Sequence, residues 1–151
     1  MSMADKIANA EAFGVGTYLE PGLYLVEVQR LKEQVGRFRS AGTTAFIAEL
    51  LIVESSNPVR PAGVGVSWYQ GENKLGYDGR IKKFFHALFP DLVAMSEKDP
   101  KRYPAEFRSI YEGCVGTENL AMGQRVRVQV TATTSQAGRA VNDHQWAPAA
   151  K

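Results

Sequence analysis

Alternating apolar and polar residues recur along the chain and predict a mainly β protein. The first such stretch, 22–31, puts Tyr24, Val26 and Val28 on one face. A second stretch, 43–54, is longer and more apolar, which is typical of a central strand. The remaining alternating stretches, 63–69, 124–133 and 139–146, follow in order, with a turn over 135–138 before the last.

Between the third and fourth predicted strands the hydrophobic period becomes that of a helix. Apolar residues recur at i, i+3, i+4 and i+7, namely Ile81, Phe84, Phe85 and Leu88. We expect Asp78 to be the N-cap of this helix, and Pro90 to follow its end. A charged linker over 96–104 and a second, weaker helix over 104–112 come next. This order predicts an OB-fold-like five-stranded antiparallel barrel with a helix between strands three and four, mainly β with a helical insertion.

The length and composition indicate one soluble domain. The chain has 151 residues, of which 44% are hydrophobic and 23% charged. We expect the folded domain over 21–151, preceded by a partly disordered N-terminal leader over 1–20. Apolar runs stay well short of the roughly 18 residues of a membrane span, and no signal-peptide core follows the N-terminus. We therefore expect no membrane partner and a cytoplasmic location, in the host cytoplasm for a phage-encoded chain.

The sequence offers little for catalysis, cofactor binding or metal binding. The spacing of His86, Cys114 and His144 matches no zinc site, and Cys114 is expected to be a buried thiol. The glycines of 63–65 precede a strand and lack the third glycine of a dinucleotide-binding loop. We predict that the chain is not an enzyme and needs no cofactor and no metal.

Basic and aromatic residues alternate in three places, and this pattern favours nucleic-acid binding. The net charge is only +2, from 18 basic and 16 acidic residues, so binding must depend on where the cations lie. Single strands are bound by cations that follow the phosphates and by aromatic rings that stack on bases. The predicted binding residues are Arg37, Phe38 and Arg39 at a hairpin tip, Tyr69, Lys74, Tyr77 and Arg80 after strand three, and Arg125 and Arg127 on strand four. Trp68 is expected to belong to the core.

Short motifs of the sequence resemble those of phage single-stranded DNA-binding proteins with an OB-fold. They are Gly22-Leu23-Tyr24, Phe46-Ile47-Ala48-Glu49, Gly65-Val66-Ser67-Trp68, the helix from Tyr77 to Leu88, and Asn142 to Trp146 before Pro148. The resemblance implies a protein that coats single-stranded DNA during phage replication, recombination or repair, largely without sequence preference. Many such proteins recruit partners through an acidic tail, whereas residues 145–151 carry no acid. The chain therefore recruits partners differently, recruits none, or is a different kind of protein.

Two other functions remain open at this stage. The chain could be an OB-like protein-interaction module of a phage or bacterial complex with no nucleic-acid binding, using residues 96–116 as the contact surface. A metal-dependent nuclease built on Glu27, Glu49 and Glu54 is the third hypothesis, although the simpler expectation is that Glu27 and Glu49 face solvent or pair with nearby cations. The partners named by these hypotheses are single-stranded DNA or RNA, further copies of the chain, and phage replication or recombination proteins.

Overall fold

The structure is a computed structural model that describes residues 17–35, 44–72, 76–134, 138 and 140–149. Within these residues, strands and helices follow the predicted order, with three helices between the third and fourth strands. The elements are β1 (Gly22–Val35), β2 (Thr44–Ser55), β3 (Gly65–Gly71), α1 (Tyr77–Leu88), α2 (Asp91–Lys98), α3 (Tyr103–Val115), β4 (Arg125–Thr134) and β5 (Ala140–Pro148).

The strands form one antiparallel sheet in the order β3-β2-β1-β4-β5. β4 returns beside β1 after the long helical connection, which is the strand arrangement of a Greek key. The prediction of a mainly β protein with five antiparallel strands and a helical insertion is confirmed. β3 and β5 are the two edges of this sheet, and in the part of the chain that the structure describes no ladder of hydrogen bonds joins them.

The core lies between one face of the sheet and the helices. Phe84 and Phe85 of α1 are fully buried and pack against Phe46 of β2. Trp68 is also buried, as expected, because it shares a face of β3 with Val66. Burial of each large apolar side chain contributes about 1.5–3 kcal/mol, so this aromatic cluster fixes α1 on the sheet.

The edges β3 and β5 approach each other through side chains and through the N-terminal segment 17–20. The rings of Trp68 and Trp146 lie 4.8 Å apart, measured between centroids. The backbone N–H of Ser67 on β3 donates to the carbonyl of Thr17 at 2.8 Å, and the amide of Asn142 on β5 donates to the carbonyl of Leu19 at 3.4 Å. The side chain of Leu19 is only 3% exposed. Segment 17–20 therefore fills the space between the two edges, while residues 1–16 of the predicted leader lie outside the described residues.

Two local predictions about the helices are wrong. Gly76, with a left-handed φ of 79°, is the N-cap of α1, and the Asp78 carboxylate accepts the adjacent N–H of Gly79. The segment predicted as a charged linker over 96–104 contains the end of α2 and the start of α3. The sequence did not predict α2 because this helix buries only Leu92, and one buried residue gives no helical repeat of apolar positions.

Candidate nucleic-acid interface

Five of the nine predicted binding residues lie in the described part of the chain, and they occupy three separate places. Tyr69 and Arg80 line one cleft, Tyr77 lies in a second groove, and Arg125 and Arg127 lie on β4. The other four, Arg37, Phe38, Arg39 and Lys74, lie outside the described residues. The predicted set therefore does not form a single compact site.

A bulge in β1 determines which residues accompany Tyr69 on the outer face of the sheet. Before the bulge, Val28 lies opposite Leu50 and points into the core. The extra residue between Val28 and Arg30 reverses the alternation, so that Arg30 lies opposite Glu49 and Lys32 opposite Ile47. Residues directly opposite each other share a face of the sheet.

Tyr69 lies on this same outer face, because it is opposite Ile47 on the other side of β2. Arg30, Lys32 and Tyr69 thus form one surface, which we call the β1–β3 face. Arg30 and Lys32 were not among the predicted binding residues, although they directly precede the predicted hairpin tip. The bulge turns Arg30 and Lys32 outward, and the alternation of apolar and polar residues in the sequence does not reveal it.

The cations of the β1–β3 face differ in how they are paired. The Lys32 ammonium is 2.7 Å from a carboxylate oxygen of Glu49, in a pair that is partly exposed. Arg30 is exposed, and no ion pair joins it to another described residue. A pair with this exposure contributes about 0–1 kcal/mol, so Lys32 can exchange Glu49 for a phosphate at little cost.

Tyr69 also lines a cleft between the edges of the sheet, which we call the β3–β5 cleft. Its volume is about 660 Å³, and Tyr18, Arg80 and His144 contribute to its walls. The Arg80 guanidinium donates through Nε to Oε1 of Gln70 at 2.7 Å, and Gln70 is buried. Because the Gln70 side chain is buried and cannot rotate freely, this hydrogen bond fixes the direction of the Arg80 side chain.

Two groups in the β3–β5 cleft have shifted pKa values. Burial, followed by the nearby Tyr69 phenol, raises the pKa of Tyr18, so the Tyr18 ring stays neutral at physiological pH. Burial lowers the pKa of His144, although its bond to Asn142 and the charge of Asp143 oppose the shift. The cleft is therefore lined by the aromatic rings of Tyr18, Tyr69 and His144, by the guanidinium of Arg80, and by the carboxylates of Glu20 and Asp143. The rings suit a base, and Arg80 is the group in the described lining that suits its phosphate.

Tyr77 belongs to a different surface, a groove between α1 and α3. The groove has a volume of about 500 Å³ and is lined mainly by rings, with Tyr103, Phe107 and Tyr111 facing Tyr77 and Ile81. Tyr77 is half-buried and packs against the core. Its position fits a packing role for the ring, and it is separate from both the β1–β3 face and the β3–β5 cleft.

Arg125 and Arg127 are exposed on the face of β4 that points away from the core. Arg125 is 3.1 Å from the Glu27 carboxylate, so its charge is partly compensated. Arg127 lies opposite Leu25 and lines a shallow hollow of about 490 Å³ with Leu23 and Gln145. Of the two, Arg127 is the better placed to contact an anion.

The surroundings of Cys114, Glu27 and Glu49 do not favour the nucleophilic or metal-binding roles considered for them. Burial raises the pKa of Cys114 to about 11, so at neutral pH the thiol is almost entirely protonated. Glu27 and Glu49 form the ion pairs with Arg125 and Lys32, as the sequence led us to expect. Among the described residues, no three His, Cys, Asp or Glu side chains come close enough to hold a metal ion.

No protein-family model matches the chain, and no curated protein sequence matches it significantly.

None of the helices that the structure describes is long and apolar enough to cross a membrane.

Proposed function

We propose that the protein binds single-stranded DNA without catalysis and largely without sequence preference. The observation that carries the proposal is the β1–β3 face, where Arg30 and Lys32 share one surface with Tyr69. Cations beside a partly exposed ring such as Tyr69 suit an unpaired strand, since phosphates are drawn to the charges and a base can stack on the ring. β1 and β2 run from this face towards residues 36–43, which include Arg37, Phe38 and Arg39.

The strand order supports an OB-fold as the scaffold for this function. An OB-fold is a five-stranded, partly open Greek-key barrel that binds oligonucleotides on strands 2 and 3 and on the β1–β2 and β4–β5 loops. Here the edges β3 and β5 are joined by the contact of Trp68 with Trp146 and by segment 17–20, which is compatible with a partly open barrel. The role in phage replication, recombination or repair, in the host cytoplasm, rests on the resemblance of the sequence motifs alone.

The proposal is tested by fluorescence anisotropy of a labelled oligo(dT) of about 30 nucleotides, compared with the matched duplex at two salt concentrations. We expect tight, salt-sensitive binding to the single strand and much weaker binding to the duplex. Each phosphate contact contributes about 0.7 to the slope of log affinity against log salt for single strands. The variant Arg30→Ala/Lys32→Ala should therefore reduce that slope by up to about 1.4.

A matched control removes two charges from another surface. Lys101→Ala/Arg102→Ala takes the same charge from the exposed turn before α3, and should leave the salt slope unchanged. Equal losses in both variants would mean that only net charge matters, which contradicts a defined β1–β3 face. Arg37→Ala/Arg39→Ala tests the hairpin tip in the same assay.

The second candidate is a protein-interaction module, and one observation favours it. One wall of the groove between α1 and α3 is formed by α3, which belongs to the segment 96–116 that the sequence singles out as a contact surface. A protein partner bound there would be retained at high salt, because apolar contacts are not screened. Absence of oligo(dT) binding at low salt would reject the first proposal and favour this one.

A further inference from the structure

The β3–β5 cleft is enclosed by three parts of the chain. Segment 17–20 forms one wall, Trp68 and Tyr69 of β3 form the second, and Asn142 to His144 of β5 form the third. Leu19 and Trp68, which also line the cleft, are each 3% exposed. Hydrogen bonds from Ser67 and Asn142 to segment 17–20 hold the walls in place, so the cleft is preformed.

Aromatic surface is available inside this cleft. Tyr18 is 45% exposed, although its backbone is fixed by a 2.7 Å bond from Arg60 Nε to its carbonyl oxygen. Tyr69 is half-buried and close enough to influence the ionisation of Tyr18. An exposed ring on an anchored backbone can stack on a ligand without first losing much conformational freedom.

The cation of the cleft is Arg80, whose guanidinium lies beside the buried side chain of Gln70. Its hydrogen bond to Gln70 fixes its direction.

We propose that the β3–β5 cleft binds one unpaired nucleobase of the bound strand, stacked on Tyr18, with the neighbouring phosphate at Arg80. The inference rests on the proposed function, because the single strand supplies the base. The volume of about 660 Å³ lies in the range of pockets that enclose small organic ligands. A base in a duplex is paired and stacked and cannot enter such a cleft without extrusion, which costs a few kcal/mol.

The test is a cycle that combines a change in the ring with a change in the base. Binding of parent and Tyr18→Ala is measured by anisotropy with oligo(dT) and with an oligonucleotide of equal length that is abasic throughout. Stacking on one base is lost with the ring, so Tyr18→Ala should weaken oligo(dT) binding about 5- to 150-fold. The abasic oligonucleotide, which binds through phosphates alone, should bind parent and variant equally.

Two further variants separate stacking from folding effects. Tyr18→Phe keeps the ring and should bind oligo(dT) as the parent does. Tyr103→Ala removes a tyrosine from the α1–α3 groove and should leave oligo(dT) binding unchanged.

Each contrary outcome has a distinct meaning. If the parent binds oligo(dT) and Tyr18→Ala binds it equally well, the nucleobase site is rejected while the proposed function stands. If Tyr18→Ala weakens both oligonucleotides equally, the ring does not contact a base and the site is again rejected. If the parent binds neither oligonucleotide, the proposed function itself fails, and the site fails with it.

Discussion

The indole rings of Trp68 on β3 and Trp146 on β5 meet edge to face, with centroids 4.8 Å apart and planes inclined at 64°. Phe84 of α1 packs against both, at 5.2 Å from Trp68 and 4.7 Å from Trp146. Each aromatic pair in such a geometry contributes about 0.5–1.5 kcal/mol beyond its buried area. These three rings hold together two edge strands that no ladder joins in the described residues.

Removal of the central ring of this cluster should therefore be costly. We expect Trp68→Ala to lower the free energy of unfolding by about 3–5 kcal/mol, as large-to-small changes of buried aromatic residues do. Urea denaturation measures the change. Val59→Ala is the control, since Val59 is 65% exposed and its truncation should alter stability by about 0.5 kcal/mol or less. Equal effects of the two substitutions would show that the indole cluster does not stabilise the fold.

The ion pair of Lys32 and Glu49 leads to a prediction about affinity. Glu49→Gln removes the carboxylate that lies 2.7 Å from the Lys32 ammonium and frees that cation for phosphate. If the β1–β3 face binds DNA, oligo(dT) affinity should rise about fivefold at low salt, which corresponds to about 1 kcal/mol. Anisotropy titration decides the matter, and an affinity that is unchanged or reduced would mean that Lys32 does not contact the strand.

The two histidines should make stability depend on pH. Burial, and then the charge of Lys82, lowers the pKa of His86, whose Nε2 lies 2.5 Å from the Tyr103 hydroxyl. Burial also lowers the pKa of His144, which stacks on Trp146. Both folded-state pKa values lie below the ordinary value of about 6.5, so the unfolded chain binds protons more readily. The stabilising contribution is present above about pH 6.5 and is lost as the pH falls through the folded-state values.

This contribution is measured by urea denaturation at pH values from about 7.5 to about 5. The parent is compared with the double variant His86→Gln/His144→Gln. Each histidine can steepen the fall in the free energy of unfolding by at most about 1.4 kcal/mol per pH unit. The parent should lose more stability than the double variant over this interval. Parallel pH profiles would show that neither histidine is responsible.

The thiol of Cys114 should be unreactive in the folded protein. With a pKa of about 11, only about one molecule in a thousand carries the thiolate at pH 8, and the side chain is fully buried. A disulfide reagent such as Ellman's reagent should modify it at once in concentrated urea and far more slowly in buffer. Rapid modification of the native protein would contradict the buried position of Cys114.

The strands were predictable because each has a single buried face. A strand with one face in the core must alternate, and the alternation in β1 and β4 gives their positions to within a few residues at each end. The core position of Trp68 followed from the same reasoning, since Val66 lies two residues earlier. α1 was equally clear, because five of its residues are buried on one side.

The features that escaped prediction depend on contacts between distant parts of the chain. Segment 17–20 has no period, and its place in the core depends on partners more than 40 residues away, such as Arg60 and Asn142. The bulge in β1 changes which residues face outward without changing their composition. The β1–β3 face and the β3–β5 cleft therefore become visible only in three dimensions, and Arg30, Lys32 and Tyr18 were missed as binding candidates for this reason.

The position of segment 17–20 also affects how the protein folds during its synthesis on the ribosome. Leu19 is separated from its partner Asn142 by 123 residues. At about 5–20 residues per second, the ribosome needs roughly 6–25 s to synthesise the intervening chain. Throughout that interval the apolar side chain of Leu19 has no complete β5 to contact, although β1, β2 and β3 are synthesised before β5 begins. The contact between segment 17–20 and β5 can therefore form only after the last strand has been synthesised.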